Sequence, residues 1–393
     1  MTRAIVLCTT AAIMIGTATT VPAFAKDGAT RPVTYKVTAL PNPLGGTYAQ
    51  GTSINDKGQI AGFATYPGNA IMHAILWQKR QSPTDMGTLG GPNSAIAWPN
   101  RNTRGVFAGI AETAQQNPLG EPWSCALAVF NTVSPTGDIC LGFRWQNGTM
   151  TALPTLGGYD GFATGINNRG QIVGWAENSY HDPSCIAPQV LQFEAVVWGP
   201  EPNEFQQLPP YGTDPDGAAT AINSRGQVVG ISGQCANAIG GASALHMVLW
   251  YKNTIASLPT LGGQYWNTPM DIDDNGDVTG FSDLPGDSAS SPNFHAFLWT
   301  KNGGTIDLGT LPGDSVSEGL GINNSDQIVG VSYPSGHAFI WQNGTMTDLN
   351  NLLGNDRRYV LTDGQDINDR GAITGEAEDT TNGAIIGVVA TPH

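Results

Sequence analysis

The stretch Ile54-Asn55-Asp56-Lys57-Gly58-Gln59-Ile60-Ala61-Gly62 begins a pattern that returns along most of the chain. It consists of an apolar residue, Asn, two variable residues, Gly, a polar residue, two apolar residues and a final Gly. Further copies span 166–174, 222–230, 272–280, 322–330 and 367–375, and a degraded copy ends at 105–109. The copies recur about every fifty residues, which is typical of stacked supersecondary units.

One repeat unit can be divided into four strands and three turns. In the sixth unit the predicted strands are 317–322, 327–332, 337–341 and 345–349. Asn343-Gly344, between the last two, suits a two-residue hairpin turn with both residues at positive φ. Seven units of four antiparallel strands predict an all-β fold, a seven-bladed β-propeller.

The two ends of the chain predict how the ring closes. The seventh unit stops at 384–389 with a third strand, and the chain starts with the strand-like segment 35–40. We therefore expect the N-terminal strand to complete the last blade. A Trp recurs near the end of the third strand, and we expect these rings to pack between blades: Trp77, Trp145, Trp198, Trp250, Trp299 and Trp341.

Residues 1–25 predict a secretory signal peptide, because Arg3, a short apolar run and Ala23-Phe24-Ala25 follow one another. Residues 26–393 are then a single β-propeller domain, secreted from a bacterium. Cleavage removes one basic residue and leaves 16 basic against 32 acidic residues, a net charge of −16. This charge argues against nucleic acid as a partner. No later stretch is long and apolar enough to span a membrane. We expect the protein to be a monomer.

The four cysteines that follow the signal peptide are Cys125, Cys140, Cys185 and Cys235. An even number in an exported chain favours two disulfides, and none of the spacings is that of a zinc site. Three pairings remain open. The preferred one joins Cys125 to Cys140 within one insertion and Cys185 to Cys235 between neighbouring insertions.

Several motifs resemble the bacterial extracellular HAF repeat, named for its His-Ala-Phe triplet. The matching stretches are His295-Ala296-Phe297-Leu298-Trp299, His337-Ala338-Phe339-Ile340-Trp341, Asp307-Leu308-Gly309-Thr310-Leu311 and the Ile-Asn-x-x-Gly runs. The resemblance covers nearly all of 33–390 and implies a secreted repeat protein without a settled activity. Units two and three depart from it, with Leu141 and Glu194 in place of the His.

The candidate site lies on one face of the predicted propeller. If strand one is innermost, the one-to-two and three-to-four turns share a face and are short. The opposite face carries the long connections 111–139, 176–192, 233–244 and 283–293, and we call it the long-loop face. Its candidate ligand-binding aromatics are Trp175, Tyr180, Tyr265, Trp266, Tyr159 and Tyr211. Its candidate catalytic groups are Glu177, His181, Asp283, Glu112 and Glu378.

No cofactor is required by these motifs, and the one candidate metal is calcium. Asp271, Asp273 and Asn275 match the start of a calcium-binding loop, but Ser282 replaces the closing Glu. An Asx turn that caps its own backbone also explains this stretch. His73, His246, His295 and His337 share one register in different blades, where we expect each to hydrogen-bond a neighbouring loop rather than to hold a metal.

Three functions fit these observations. The first is a secreted propeller that binds an extracellular ligand, a carbohydrate or cell-envelope polymer, on the long-loop face. The second is a polysaccharide hydrolase or lyase that uses acidic and aromatic residues of the same face. The third is a structural or protein-interaction module without a small ligand. Propellers support all three functions, so the fold does not decide between them.

Overall fold

Each intact repeat copy forms the turn between the first two strands of a four-stranded antiparallel sheet. The computed structural model describes residues 33–121, 130, 136–201, 204–235, 244–288, 293–355 and 357–393. Within these residues the strands form seven such sheets. Consecutive sheets contact one another, and the seventh contacts the first. The predicted seven-bladed β-propeller is therefore confirmed.

The first four blades follow one another along the chain, each with its strands in sequence order. Blade 1 contains β2 (Ala49–Ile54), β3 (Ile60–Thr65), β4 (Met72–Trp77) and β5 (Thr84–Asp85). Blade 2 contains β6 (Gly90–Ala95), β7 (Val106–Gln116), β8 (Asp138–Gln146) and β9 (Thr149–Ala152). Blade 3 contains β10 (Gly157–Ile166), β11 (Ile172–His181), β12 (Leu191–Trp198) and β13 (Phe205–Leu208). Blade 4 contains β14 (Asp216–Ile222), β15 (Val228–Gly233), β16 (His246–Tyr251) and β17 (Thr254–Leu258).

The remaining blades have the same order, apart from the strand that closes the ring. Blade 5 contains β18 (Asn267–Ile272), β19 (Val278–Asp283), β20 (Phe294–Thr300) and β21 (Gly304–Asp307). Blade 6 contains β22 (Val316–Ile322), β23 (Ile328–Tyr333), β24 (His337–Gln342) and β25 (Thr345–Asp348), followed by a 3-10 helix at Leu349–Leu352. Blade 7 contains β26 (Tyr359–Ile367), β27 (Ile373–Asp379), β28 (Ala384–Pro392) and β1 (Tyr35–Ala39).

The N-terminal strand closes the ring as predicted. β1 pairs antiparallel with β28, with Tyr35 opposite Pro392 and Ala39 opposite Val388. The first strand of the chain thereby covers an edge of blade 7 that would otherwise be left unpaired. The Asn343-Gly344 turn also has the predicted form, with φ of 52° and 79°.

A circle of side-chain amides explains the Asn of the repeat. Asn55 donates from Nδ2 to the carbonyl of Asn102 in the next blade, at 2.8 Å. Five further Asn side chains donate in the same way to the backbone carbonyl of the equivalent residue in the next blade, at 2.8–3.0 Å: Asn102, Asn167, Asn223, Asn323 and Asn368. Asp273 occupies this position in blade 5 and has no amide to donate. The repeat therefore encodes contacts between blades as well as a turn.

Apolar layers between the blades form the core. Trp145 packs with Phe107 and Phe143 against Ala61 and Leu76 of the preceding blade. Three Trp side chains also donate from Nε1 to the carbonyl of a proline that precedes the first strand of their own blade: Trp77 to Pro41, Trp198 to Pro154 and Trp250 to Pro209. Trp77, Trp145, Trp198 and Trp250 are buried, whereas Trp299 and Trp341 are half-buried.

One disulfide joins two insertions of the long-loop face. Cys185 and Cys235 are bonded with a Cα–Cα distance of 4.6 Å, which confirms this predicted pair. Cys140 is also disulfide-bonded. Its predicted partner Cys125 lies outside the described residues, so that pairing stays a prediction. The signal peptide at 1–25 likewise lies outside them. Within the described part of the chain, no helix is long and apolar enough to cross a membrane.

Candidate functional site

The first strand of each blade lies nearest the axis of the ring. Contacts between neighbouring first strands, such as β10 with β14 and β18 with β22, establish this order. The Asn-x-x-Gly turns and the turns between strands three and four therefore share one face, which we call the short-turn face. The insertions lie on the opposite, long-loop face, as the sequence predicts.

Three of the predicted acids are buried and hold the chain where it enters a first strand. Glu112 accepts from the backbone N–H of Asn93 at 3.0 Å. Glu177 accepts from Asp160 N at 2.9 Å, and Asp283 from Trp266 N at 2.8 Å. Each of the three side chains belongs to a residue exposed by 1% or less. Their position suits a structural role, because each buried carboxylate accepts hydrogen bonds from the segment that enters the first strand.

Burial raises the pKa of each of these acids. The pKa of Glu112 lies above its ordinary value because its carboxylate is desolvated. For Glu177, burial is joined by the charge of Glu121. Asp283 shares a hydrogen bond with Asp287, and burial together with this partner raises the Asp283 pKa. These three acids therefore keep their protons to a higher pH than exposed acids do.

The other predicted polar groups are exposed. His181 ends β11 and is exposed, as is Tyr180 beside it. Glu378 is exposed on β27, two residues beyond Glu376 and on the same strand face. Glu378 thus differs in exposure from the three buried acids with which its sequence position grouped it.

The predicted aromatics divide into packed and exposed side chains. Trp175 lies 4.7 Å from Phe162 between ring centroids and is buried. Trp266 packs on Phe281 and Phe294, and Tyr211 packs on His246. Tyr159, Tyr180 and Tyr265 are exposed by 39%, 57% and 36%. Only these three are free to contact a ligand as they stand, and Tyr159 lines a groove of about 660 Å³ between blades 2 and 3.

Each His of the shared register pairs with an Asp of its own blade. The Nδ1 atoms lie 2.8–2.9 Å from a carboxylate oxygen in the pairs His73–Asp85, His246–Asp214, His295–Asp307 and His337–Asp348. In three of the pairs the Asp belongs to the fourth strand, so the pair ties that strand to the third. This arrangement explains why the His and Asp-Leu motifs occur together.

The predicted calcium loop is not assembled. Asp271 binds Arg101 and also accepts from Ile322 N at 3.0 Å, so its carboxylate points away from the turn. Asn275 donates to Asp273 at 2.8 Å. A different set, Asp273 with Asp277 and Asp326 of the next blade, brings three carboxylate oxygens within 4.8 Å of one another. These three residues, on the short-turn face, could hold a cation.

Polar and apolar side chains divide one layer around the axis. This layer contains one residue from each blade, the residue four positions before the Ile that begins the Ile-Asn-x-x-Gly motif. In blade 2, where Arg101 replaces this Ile, the residue is counted from Arg101. Blades 2, 3 and 4 contribute apolar residues to this layer: Ala97, Phe162 and Ala218. Blades 5, 6, 7 and 1 contribute polar residues: Thr268, Glu318, Asp363 and Gln50. The apolar side is covered, because Phe130 of the blade 2 insertion packs in the same cluster as Phe162 and Trp98.

The polar side holds three carboxyl groups, which we call the axial acid cluster: Glu318, Asp363 and Glu376. Asp363 accepts from the backbone N–H of Glu376 at 2.6 Å and from Gln50 Nε2 at 3.3 Å. The Tyr48 hydroxyl donates to Glu376. Among the described residues, no hydrogen-bond donor reaches the Glu318 carboxylate. All three acids are half-buried, so the cluster is partly open to solvent.

Mutual repulsion and burial shift the titration of this cluster. Burial and the charge of Asp363 raise the pKa of Glu318 to about 7. The same two causes raise the pKa of Glu376 above its ordinary value, and burial raises that of Asp363. The pKa of Tyr333 rises to about 12 through burial and the nearby charges of Glu318 and Asp363. The cluster therefore exchanges protons near neutral pH.

Arg101 crosses the axis on the short-turn side of the cluster. Its guanidinium binds Asp271 and the Ile322 carbonyl and lies 4.0 Å from Asp366. These partners belong to blades 5, 6 and 7, whereas Arg101 stands at the Ile position of blade 2. Arg101 therefore occupies the axis between the cluster and the short-turn face.

Sequence reasoning missed the axial acid cluster and Arg101. The signal for the cluster is present in the repeat: Gln50, Glu318 and Asp363 are polar where the register is apolar in blades 2–4. It becomes visible only when the copies are compared position by position, because no local motif surrounds these residues.

Known proteins support the fold and leave the activity open. No protein-family model matches the sequence, and no curated protein matches it. A virginiamycin B lyase from Staphylococcus aureus is similar in structure, with 9% identity, a TM-score of 0.50 and coverage of 90% of this chain and 99% of that one. The β-propeller domain of the Trilobed protease from Pyrococcus furiosus gives 11% identity and a TM-score of 0.48, over 77% of this chain and 82% of that one. At these identities a likeness concerns the fold alone.

Proposed function

We propose that this protein is an exported propeller that binds a carbohydrate or similar hydroxylated envelope polymer at the axial acid cluster. The observation that carries the proposal is the divided axial layer. Glu318, Asp363 and Gln50 supply polar groups at the level where three other blades supply apolar ones. A layer that differs between blades in this way is not required by the repeat itself.

Sugar chemistry fits the groups that are present. Carboxylates accept hydrogen bonds from hydroxyl groups, and the Gln50 amide can both donate and accept. Tyr333 is 43% exposed near the acids and offers a ring face. The exposed rings of Tyr159, Tyr180 and Tyr265 extend the same face outward for a longer polymer. Export is supported by the Cys185–Cys235 disulfide, since such bonds persist in oxidising compartments. Membership of the HAF repeat family stays a prediction.

Binding to a panel of polysaccharides tests this proposal. Glu318→Gln and Glu376→Gln keep the size of each side chain while removing its charge. At least one should weaken binding tenfold, about 1.4 kcal/mol. Glu204→Gln is the matched control, because Glu204 is exposed in the connection before β13, on the short-turn side. The proposal fails if both cluster variants bind like the parent, or if Glu204→Gln is equally impaired.

A second candidate, a polysaccharide hydrolase, is favoured by the raised pKa values of Glu318 and Glu376. A general acid must hold its proton near the working pH, and a carboxyl with a pKa near 7 does so. Product detection on any bound polysaccharide separates the two candidates. Hydrolysis that disappears in Glu318→Gln while binding persists would make the protein an enzyme. Binding without products over a long incubation would leave it a binding protein.

A further inference from the structure

An apolar groove lies at the seam where blade 7 meets blade 1, and none of the residues of the axial acid cluster lines it. We call it the seam groove. Its volume is about 590 Å³, and Leu40, Trp77 and Val389 are among its apolar lining residues. Lys57, Lys79 and Arg370 also line it, and all three are exposed. This volume is within the range of small-molecule sites.

A shortened fourth strand opens the seam groove. β5 has two residues and pairs only with Ile75 and Leu76, so Trp77 has no partner in a fourth strand. In blade 4 the equivalent Trp250 pairs with Ile255 of a five-residue strand. The backbone of β4 at Trp77 therefore has no fourth-strand partner next to β1 and β28, while the Trp77 side chain stays buried at the base of the groove.

The charge of the seam groove is opposite to that of the whole protein. The chain has 32 acidic and 17 basic residues, yet the lining contains three cations and no carboxylate. Within the described residues, none of the three cations forms an ion pair. The acids nearest in sequence to Lys57 and Arg370 are Asp56 and Asp369. These two are hydrogen-bonded to each other between blades 1 and 7, because the backbone N–H of Asp369 donates to the Asp56 carboxylate at 3.0 Å.

A similar groove between blades 3 and 4 shows that these features are not general to the fold. Trp250 also lines that groove, but its volume is about 310 Å³ and Lys252 is the one cation in its lining. The greater volume and the added charge at the seam are thus properties of this blade junction.

We propose that the seam groove binds an amphipathic anion, a molecule with an apolar chain and a single carboxylate. The chain would lie along Leu40, Trp77 and Val389. The carboxylate would reach Lys57, Lys79 and Arg370. Charge complementarity selects an anion, and the enclosed apolar floor selects a tail longer than that of acetate.

Calorimetric titration of the full protein with decanoate tests the site. We expect saturable binding of decanoate, and no measurable binding of acetate or of decyltrimethylammonium. The triple change Lys57→Glu, Lys79→Glu and Arg370→Glu should weaken decanoate binding at least tenfold. Arg104→Glu is the matched control, because Arg104 is the exposed residue at the same repeat position of blade 2 and does not line the groove.

Each other outcome would overturn the proposal. Equal binding of decanoate and decyltrimethylammonium would mean that apolar contact alone is responsible. Binding of acetate with the affinity of decanoate would mean a simple anion site. An equal loss in Arg104→Glu would place the site elsewhere, and an absence of decanoate binding would remove it. A dimer that the triple change dissociates would mean that a second copy fills the groove.

Discussion

Asn167 takes part in contacts within its own turn and in a contact with the next blade. Its side chain is fully buried. Oδ1 accepts from the backbone N–H groups of Arg169 and Gln171 at 2.9 and 3.1 Å, within the turn. Nδ2 donates to the carbonyl of Asn223 in the next blade at 3.0 Å. Nδ2 also donates to Oε1 of Gln171 at 3.0 Å, within its own blade. One side chain thus satisfies two donors and one acceptor in its own blade and one acceptor in the neighbouring blade.

Two substitutions at Asn167 should differ in their cost. Asn167→Asp keeps the two accepted bonds and loses both donated bonds, to Asn223 and to Gln171, so the free energy of unfolding should fall by about 1–3 kcal/mol. Asn167→Ala also leaves the N–H groups of Arg169 and Gln171 without their acceptor, and should cost about 3–5 kcal/mol in total. In blade 5, Asp273 already lacks the amide donor, and its Oδ2 instead accepts from Nδ2 of Asn275 at 2.8 Å.

Urea unfolding followed by tryptophan fluorescence measures these differences. Asn302→Ala is the control, because Asn302 is exposed in a turn of blade 5, and it should change stability by less than about 0.5 kcal/mol. The reasoning would be refuted if Asn167→Ala and Asn167→Asp cost the same. It would also be refuted if neither differed from Asn302→Ala, since the amide circle would then contribute nothing to blade association.

Three further predictions concern the fold and its response to pH. Trp250→Ala should cost about 3–5 kcal/mol in urea unfolding, because it leaves a cavity and an unpaired Pro209 carbonyl; a cost below about 1 kcal/mol would contradict this packing. Removing residues 1–46 deletes β1 and exposes an edge of β28, so the product should aggregate on size-exclusion chromatography; a monomer that melts like the parent would contradict the closure. Burial and the hydrogen bond with Asp182 raise the pKa of Asp216 to about 8, above its value near 4 in an unfolded chain. The contribution of protonated Asp216 to the free energy of unfolding is therefore present at low pH and is lost as pH rises through 8. Melting curves should show that Asp216→Asn loses less stability than the parent between pH 4 and 8, and an unchanged pH dependence would contradict this assignment.

The architecture could be predicted because every blade repeats the same local chemistry. The Ile-Asn-x-x-Gly turn, the Asn343-Gly344 hairpin and the missing fourth strand of the last unit each depend on a few neighbouring residues. The Cys185–Cys235 bond followed from the positions of two insertions in adjacent blades. Such features need no knowledge of distant contacts, so pattern and turn chemistry suffice.

The axial groups could not be predicted because their partners are far apart in sequence. Asp271 resembles a calcium ligand by its local spacing, yet Arg101, 170 residues away, determines where its carboxylate points. Tyr48 reaches Glu376 across 328 residues. Glu112 and Glu177 appeared to be loop acids, and their burial became visible only once the entering strands were placed beside them.

Hydrogen–deuterium exchange with a bound oligosaccharide from the polysaccharide panel tests most directly whether the axial acid cluster is the binding site. The cluster draws on three separate stretches of the chain, 48–52, 316–320 and 361–378. The account predicts that the oligosaccharide slows exchange in these three stretches together, and that Glu318→Gln reduces the effect. Protection confined to the turns of the short-turn face, such as 55–59 and 167–171, would contradict it.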